Sequence, residues 1–392
     1  MSINGFCDSK FVELEKYLEK TVKTKFELGV ALSVEIEGEK VVDIWGGFQD
    51  AERQIDWKED TLCNTFSVSK AMTTACLLKL IEDEKIKLNE RISSYWPEYG
   101  VNGKEETTVF HFLTHRAGMF GFQDKLPIND WENWDLFTTL LEQQEPFYKP
   151  GEVQGYHALT FGYLVGELIR RVDGRTVGTF FKEEIGDPYE VDFIIGLSDE
   201  DIERCANIAI SGGRSPLLFK AALKMPEWLL PKKIRPIIKN IKEGDFKKAF
   251  FSIGDDDAVN QKSWRRAEIP AANGHATSRG IAKFYSLLAN DSEDNFLSTE
   301  TIENASKIQS SGPDKVLLNM PIKFGLGFMV DNPYSPLGYN PNAFGHSGVG
   351  GAVGFADKEK RIGFGFIKNY MHRPGVLFKS ANDLTKLLYS KL

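Results

Sequence analysis

The sequence predicts an α+β fold in which an antiparallel sheet carries flanking helices and an inserted, mainly helical lobe. Strand patterns occur near both chain ends, at 29–45 and 325–367, whereas helical periodicity dominates from about 85 to 240. Hairpin-type strands from both ends most simply join one sheet, so we expect the helical middle to be an insertion.

The elements follow in order from the spacing of apolar residues. Phe11, Leu14 and Leu18 recur three and four residues apart, which predicts a helix over 10–24. The same periodicity predicts helices at 67–83, 108–115, 135–144, 158–172, 277–290 and 376–390. Alternation and β-branched residues predict strands at 29–36, 41–45, 325–330, 352–356 and 362–367. We therefore predict one lobe from 1–84 with 270–392, and a second lobe from 85–269.

Composition and charge exclude several classes of protein. The 392 residues are 42% apolar and 27% charged, which is typical of a globular protein and excludes a disordered one. The net charge of −8 argues against a nucleic-acid partner, because such proteins need a basic surface. No apolar run approaches the roughly 18 residues of a membrane span. The first residues lack the basic and apolar regions of a signal peptide, so we expect none.

The cysteines favour a reducing compartment. They are scattered and form no C-x-x-C pair, which indicates reduced thiols in a cytoplasmic protein without a disulfide framework; they are Cys7, Cys63, Cys76 and Cys205. The final Ser390-Lys391-Leu392 is a peroxisomal address in a eukaryote, which is the alternative localisation. The oligomeric state stays open.

No cofactor or metal is expected. His111 and His115 lie four residues apart on a predicted helix, a spacing that can bind a metal. Phe112 stands where a zinc protease would have glutamate, so structural histidines are the better interpretation. An acidic run at 255–257 is interpreted as a solvated loop.

One segment departs from the overall charge. Residues 216–250 contain nine Lys or Arg and three Asp or Glu, a local balance of 9 − 3 = +6, together with several apolar residues. This pattern favours a lid-like helical segment whose apolar face packs inward. The alternative is a weak contact with an anionic surface.

A Ser-x-x-Lys motif opens the predicted helix 67–83. Residues i and i+3 share a helix face, so the amine of Lys70 can reach the hydroxyl of Ser67 and act as its base. A lysine at its usual pKa near 10.4 is protonated at neutral pH, so the site must be desolvated or a second group must share the proton. Tyr156 can supply that group, although a half-buried structural tyrosine is an equal alternative.

A glycine-rich stretch supplies a third element. Gly345-His346-Ser347-Gly348-Val349-Gly350-Gly351 lies between two apolar strands. Glycines allow a substrate close to the backbone, where an N–H can point at an oxyanion. A strand end without a catalytic role is the alternative interpretation.

Together these motifs resemble a known superfamily. Ser67-x-x-Lys70, then Tyr156, then His346-Ser347-Gly348 resemble the serine β-lactamases and penicillin-binding proteins, and most of all class C β-lactamases and family VIII carboxylesterases. Further similar stretches are 107–118, Tyr148-Lys-Pro-Gly151, Val172-Asp-Gly174 and Phe324-Gly-Leu-Gly-Phe328. The resemblance spans about 30–370 and implies a β-lactamase/transpeptidase-like fold.

The resemblance also implies roles for individual residues. Ser67 is the acylated nucleophile, Lys70 its base, and Tyr156 shares the proton and serves the leaving group and the deacylating water. The backbone N–H groups of Ser67 and Val349 form the oxyanion hole. The triplet His346, Ser347 and Gly348 binds substrate.

Two departures favour an ester as substrate. The lactamase pattern is Tyr-x-Asn, but the third position here is Ala158, which cannot hydrogen-bond a lactam side-chain amide. The lactamase Lys-Thr-Gly begins here with His346, which is mostly neutral at pH 7 and is a poor anchor for a carboxylate. Because histidine replaces a lysine cation near Tyr156, a phenolate at Tyr156 is less favoured, which makes Lys70 the better main base.

The sequence thus predicts a serine carboxylesterase acting through an acyl-enzyme on small to medium acyl esters. The alternatives are a β-lactamase or D-amino-acid peptidase, an acyltransferase, and a regulatory protein on the same fold. Aromatic residues are predicted to line an apolar acyl or alcohol pocket: Phe120, Phe122, Trp131, Trp134, Phe147 and Tyr148.

Overall fold

The computed structural model describes residues 2–124, 126, 130–210, 225–226, 229–231, 235–250, 258–292, 294–331 and 337–392. Its centre is a nine-stranded antiparallel sheet in the order β1-β3-β2-β13-β12-β11-β10-β9-β8. These strands are β1 Asn4–Cys7, β2 Gly29–Ile36, β3 Glu39–Gly47, β8 Ser310–Pro313, β9 Pro321–Phe324, β10 Met329–Val330, β11 Phe344–Ser347, β12 Val353–Asp357 and β13 Ile362–Lys368. Because both chain ends contribute neighbouring strands, the predicted α+β architecture is confirmed.

Short strands form two smaller sheets. Three strands pair in the order β4-β7-β5 and two in the order β14-β6. They are β4 Cys63–Asn64, β5 Phe193–Ile194, β6 Ala209–Ile210, β7 His275–Ala276 and β14 Tyr370–Met371.

The described α-helices are Val12–Lys23, Ser69–Glu82, Val109–Leu113, Trp134–Gln143, Thr160–Asp173, Val177–Phe181, Asp199–Glu203, Arg235–Glu243, Asp245–Phe250, Lys262–Arg266, Ser278–Ala289, Thr299–Ser306 and Lys379–Tyr389. Among the residues that the structure describes, no helix has the length and apolar character needed to cross a membrane.

Strand β13 shows how the sequence layers the sheet between helices. It alternates glycine and phenylalanine, and successive side chains of a strand point to opposite faces. A Cβ on Gly363 would lie 2.3 Å from the carbonyl oxygen of Ala282, so the helix Ser278–Ala289 packs directly on the strand backbone. Phe364 and Phe366 belong to the apolar cluster on the other face, which includes residues of the first and last helices. Helices therefore cover both faces.

The helix Ser69–Glu82 lies at the centre of the molecule. Eleven of its fourteen residues are buried, among them Lys70, and it packs against Thr160–Asp173 and Val177–Phe181 from the middle of the chain. A residue at the start of this helix therefore lies between groups from both chain ends and from the middle.

One predicted strand is wrong over 325–330. The structure has β9 ending at Phe324 and β10 beginning at Met329, with a turn between them. Gly327 takes a left-handed φ of 73°, and its N–H donates to the carbonyl of Leu113 at 2.7 Å. A Cβ there would lie 2.0 Å from Thr74 Oγ1, so this glycine serves a close approach rather than a strand.

Two other predictions meet the limits of the described residues. The acidic run 255–257 lies outside them, as do many residues of the basic segment 216–250, although its end at 235–250 is described. The lobe boundaries at 84 and 270 stay predictions.

Candidate active site

Ser67 lies in a tight turn that leads into a helix. Phe66–Val68 forms one 3-10 turn, and the helix begins at Ser69. Phe66 has a φ of 50°, an unfavourable conformation for a bulky residue. Ser69 holds this turn, because its Oγ donates to the Phe66 carbonyl at 2.5 Å and accepts the N–H of Gly274 at 2.9 Å. The hydroxyl of Ser67 is thereby placed at a helix N-terminus, which favours negative charge.

Lys70 is buried, with an amine that has three oxygen neighbours. Its Nζ lies 2.8 Å from the carbonyl oxygen of Ala158, 2.9 Å from that of Ala271 and 3.3 Å from Ser67 Oγ. Burial holds the pKa of Lys70 well below its usual value, which favours the neutral amine. A neutral amine has two N–H groups and one lone pair. The two carbonyls accept both N–H groups, and the lone pair is then directed at the hydroxyl of Ser67.

Tyr156 lies against this pair as a buried phenol. The Lys70 amine is 4.8 Å from the centre of the Tyr156 ring, and the Ser67 side chain neighbours the Tyr156 phenol. Burial raises the pKa of Tyr156 and outweighs the opposing effect of the neighbouring Ser67 side chain, so the phenol keeps its proton at neutral pH. The backbone N–H of Tyr156 donates to Asp314 Oδ1 at 3.1 Å, which fixes the residue in place.

The glycine-rich stretch packs against the turn before Ser67. Its first three residues lie in β11, and a Cβ on Gly348 would lie 2.2 Å from the carbonyl oxygen of Thr65. A Cβ on Gly350 would lie 2.4 Å from the ring of Phe66, so only glycine fits at both positions. Val349 lies between them. Within the described ranges, neither the N–H of Ser67 nor that of Val349 donates to another backbone group, as the predicted oxyanion hole requires.

His346 lies near Tyr156 as a neutral, buried ring. The two ring centres are 6.1 Å apart. Burial, and secondarily the nearby Lys70 amine, lower the pKa of His346 to about 3. Its Nδ1–H donates to the Ser347 carbonyl at 2.9 Å, which leaves Nε2 as a buried acceptor without a partner among the described residues. The Ser347 Oγ lies 4.0 Å from the sulfur of Met329.

Three of the predicted pocket aromatics lie on the Tyr156 side. Phe120 belongs to the same buried apolar cluster as Tyr156. Its ring stacks on Phe147 at 4.5 Å and lies 6.0 Å from that of Tyr148.

The other three predicted aromatics pack elsewhere. Trp134 donates its indole N–H to Glu167 at 2.7 Å and, with Trp131, lines a separate cavity of about 460 Å³. Phe122 packs edge-on against Phe137 and Tyr163 in the helical part of the chain. The structure therefore does not bring Trp134 to Ser67. The position of Trp134 in the sequence does not indicate that it packs away from the site.

Sequence reasoning missed several residues of the site. Asp314 acts through a backbone hydrogen bond to a residue 158 positions away, which no motif indicates. Phe250 stacks on Tyr156 with ring centres 6.2 Å apart. Phe250 follows Phe246 by four residues inside the basic segment. This spacing is typical of the buried face of a helix and could have indicated Phe250.

The two histidines at a metal-type spacing, interpreted from the sequence as structural, hydrogen-bond to the backbone. His111 Nδ1 accepts the N–H of Thr108 at 3.2 Å, and His115 Nδ1 accepts the N–H of His157 at 3.1 Å. In the part of the chain that the structure describes, no three His, Cys, Asp or Glu side chains are grouped to hold a metal ion.

Comparisons with known proteins bear on the family and the fold. A family model described as Beta-lactamase matches residues 14–385. The Mycobacterium tuberculosis protein named Esterase/beta-lactamase LipL is 30% identical over 367 residues, which are 89% of this chain and 79% of the relative. A solved family VIII carboxylesterase has a TM-score of 0.85 and 32% identity, with all of both chains covered. A penicillin-binding protein homologue from Caulobacter crescentus has a TM-score of 0.83 and 32% identity, also over both whole chains.

Proposed function

Because the chain belongs to the beta-lactamase family and is a serine hydrolase, we propose that it cleaves small to medium carboxylic esters through an acyl-enzyme on Ser67. The observation that carries the proposal is the Lys70 amine, buried, held by two carbonyls and 3.3 Å from the Ser67 hydroxyl. The name of the mycobacterial relative and the family VIII structure support an ester as substrate.

In the proposed acylation, the lone pair of Lys70 takes the proton of Ser67 as its oxygen attacks the ester carbonyl. The carbonyl electrons move to the oxygen, which the N–H groups of Ser67 and Val349 stabilise. One such donor typically contributes about 10²–10³ in rate. The C–O bond to the alcohol then breaks and leaves Ser67 acylated.

Tyr156 is proposed to serve the leaving alcohol. Its phenol gives a proton to the departing alkoxide and recovers the proton that Lys70 took, so the proton count balances. Water then enters by the reverse route and loses a proton through Tyr156 to Lys70 as it attacks the acyl group. The bond between the acyl carbon and the Ser67 oxygen breaks as Lys70 returns the proton to that oxygen, which releases the carboxylic acid. A buried, protonated phenol beside Ser67 fits this donor role.

The same residues favour an ester over a β-lactam. Ala158 contributes only its backbone carbonyl to the site, as the acceptor for Lys70. His346 is neutral, so it provides no fixed positive charge for a lactam carboxylate. The β-lactamase candidate remains because the mycobacterial relative is named for both activities. Acyl transfer to an alcohol uses the same acyl-enzyme and stays an alternative.

A fluorophosphonate probe tests the nucleophile. We expect it to label the wild-type protein at Ser67, located by peptide mass spectrometry, and to leave the Ser67→Ala variant unlabelled. Circular dichroism of the variant checks that the fold is kept. Unlabelled wild-type protein with an intact fold would contradict the proposed function.

A substrate panel ranks the two candidate activities. We expect p-nitrophenyl butyrate to be hydrolysed with a higher kcat/KM than nitrocefin. Faster turnover of nitrocefin would reverse this ranking in favour of a β-lactamase.

Gly348→Ala tests the placement of the proposed oxyanion hole. The added Cβ meets the Thr65 carbonyl oxygen at 2.2 Å, so the loop with Val349 must move away from Ser67. We expect kcat/KM for p-nitrophenyl butyrate to fall by about 10²-fold, the scale of a displacement near 1 Å. Gly375→Ala is the matched control, because its Cβ meets nothing within 4 Å. Equal activity of the two variants would argue against Val349 as an oxyanion donor.

We also propose that the protein works in a reducing compartment such as the cytoplasm. All four cysteines are free thiols, and three of them are buried. Burial raises the pKa of the Cys205 thiol to about 12, which keeps it protonated and unreactive.

A further inference from the structure

The short helix Asp245–Phe250 places two stacked rings, Phe246 and Phe250, beside Tyr156, and we call this pair the aromatic wall. The ring of Phe250 is stacked on that of Tyr156, with centres 6.2 Å apart and planes 27° apart. Phe246 stacks on Phe250 in turn at 4.7 Å. Ala249 is 2% exposed and belongs to the apolar cluster that contains Tyr156. The helix therefore faces the site with apolar atoms.

Contacts with the segment 120–148 hold this helix in place. The Tyr148 hydroxyl donates to Asp245 Oδ2 at 2.7 Å, and the Lys248 amine lies 4.9 Å from the centre of the Phe147 ring. Burial and the Asp245 carboxylate raise the pKa of Tyr148 to about 12, so the phenol stays a donor. A Cβ on Gly121 would lie 2.6 Å from the Lys248 carbonyl oxygen, so the two backbones touch.

Buried apolar residues back the site next to Tyr156. Phe120 and Val316 both approach Gly155, where a Cβ would lie 3.2 Å from the Phe120 ring and 3.5 Å from a Val316 methyl. The half-buried ring of Phe250 in front of this packing can bind a flat apolar group, since aromatic pairs gain energy beyond the area that they bury.

The position of Tyr156 decides which half of the ester meets this wall. In the proposed mechanism Tyr156 gives its proton to the departing alcohol, so the alcohol oxygen must come to its hydroxyl. Whatever is attached to that oxygen then lies beside the Tyr156 ring and the residue stacked on it. The acyl group instead points away from the leaving oxygen, because the two are on opposite sides of the reacting carbon.

We propose that Phe250 is a specificity-determining residue that binds an aromatic alcohol portion of the ester, and that the Tyr148–Asp245 hydrogen bond positions it. This inference rests on the proposed function and names the substrate class more closely: esters of arylmethyl or phenolic alcohols. Phe250 touches the substrate but takes no part in the proton transfers.

The test compares two esters that share one acyl group. Benzyl butyrate and ethyl butyrate give the same acyl-enzyme, so any change in their kcat/KM ratio reports on the alcohol side. We expect Phe250→Ala to lower the benzyl-to-ethyl ratio by roughly 3–10-fold, the scale of an aromatic contact. Phe250→Leu keeps an apolar side chain and should lose less. Tyr148→Phe should lower the ratio in the same direction by a smaller factor.

The controls separate this inference from the proposed function. Phe6→Ala, at an exposed position of the edge strand β1, should leave the ratio unchanged. The circular dichroism spectrum of Phe250→Ala should match that of the wild type, and the fluorophosphonate should still label it at Ser67, which shows that the fold and the nucleophile are present. An unchanged benzyl-to-ethyl ratio in Phe250→Ala would overturn the inference.

A second series distinguishes the acyl side. If Phe250→Ala instead changes the preference between p-nitrophenyl acetate and p-nitrophenyl octanoate, the wall borders the acyl group and the inference is wrong. Wild-type protein that reacts with neither ester nor probe would contradict the proposed function itself.

Discussion

Replacing Lys70 with methionine should slow acylation strongly and at the same time stabilise the fold. Methionine fills a similar volume without a base, so we expect labelling and ester hydrolysis to fall by about 10²–10⁴-fold. Stability should rise because burial lowers the pKa of Lys70, and folding at neutral pH must therefore remove a proton that the unfolded chain holds. Stabilising a site at the expense of activity is a common trade-off.

The stability gain of Lys70→Met should depend on pH in a defined direction. The lowered pKa destabilises the fold in full below the folded-state pKa of Lys70, and the effect fades as pH rises towards about 10.4, the unfolded value. The Tm advantage of Lys70→Met should therefore shrink with rising pH, whereas wild-type acylation should increase through the folded-state pKa.

Differential scanning fluorimetry and stopped-flow acylation over the same pH range measure both effects. Lys79→Met is the matched control, because Lys79 is on the same helix with a partly exposed amine that pairs with Asp83. Near-normal labelling of Lys70→Met would remove Lys70 from the base role.

Lys368→Met should lower the free energy of unfolding by about 3–5 kcal/mol, the usual effect of breaking a buried ion pair. The side chains of Lys368 and Glu27 are fully buried, and the amine lies 2.8 and 2.9 Å from the two carboxylate oxygens. Ser380 donates to the same carboxylate at 2.6 Å, and His372 Nε2 lies 3.3 Å from it. Without the amine, these two neighbours leave a buried negative charge only partly compensated.

Urea unfolding of the double variant Glu27→Leu/Lys368→Met provides the control. Removing both charges should recover part of the loss, because a buried pair can often be replaced by apolar residues. A double variant less stable than Lys368→Met would show that the charge is not the cause. A Cβ on Gly351 would lie 2.7 Å from the Lys368 side chain, so the Glu27–Lys368 pair supports the end of the glycine-rich loop. Ester hydrolysis by both variants should therefore be measured as well.

The amphipathic elements were predictable because their apolar spacing is local information. The helix expected at 277–290 is observed at Ser278–Ala289, and the one at 376–390 is observed at Lys379–Tyr389. The strand expected at 325–330 was wrong because the conformation of Gly327 is set by contacts with Thr74 and Leu113, which lie far away in the sequence. Such contacts leave no periodic trace in the sequence.

The residues of the site likewise fall into those that the sequence could predict and those that it could not. The motif residues Ser67, Lys70 and Tyr156 were found from their order and come together in the structure, and their catalytic roles stay proposals. Trp134 was selected only for being aromatic, and the structure places it beside Glu167. The carbonyls that hold the Lys70 amine belong to the backbone, so residue type says nothing about them.

The two carbonyls around Lys70 also link the site to the order in which the chain folds. One acceptor lies 88 residues and the other 201 residues further along the sequence. Contacts so distant in sequence close large loops and form slowly compared with local helices. The amine therefore acquires its reactive environment only once three remote stretches have met, so a partly folded chain with most of its helices in place is still inert towards esters.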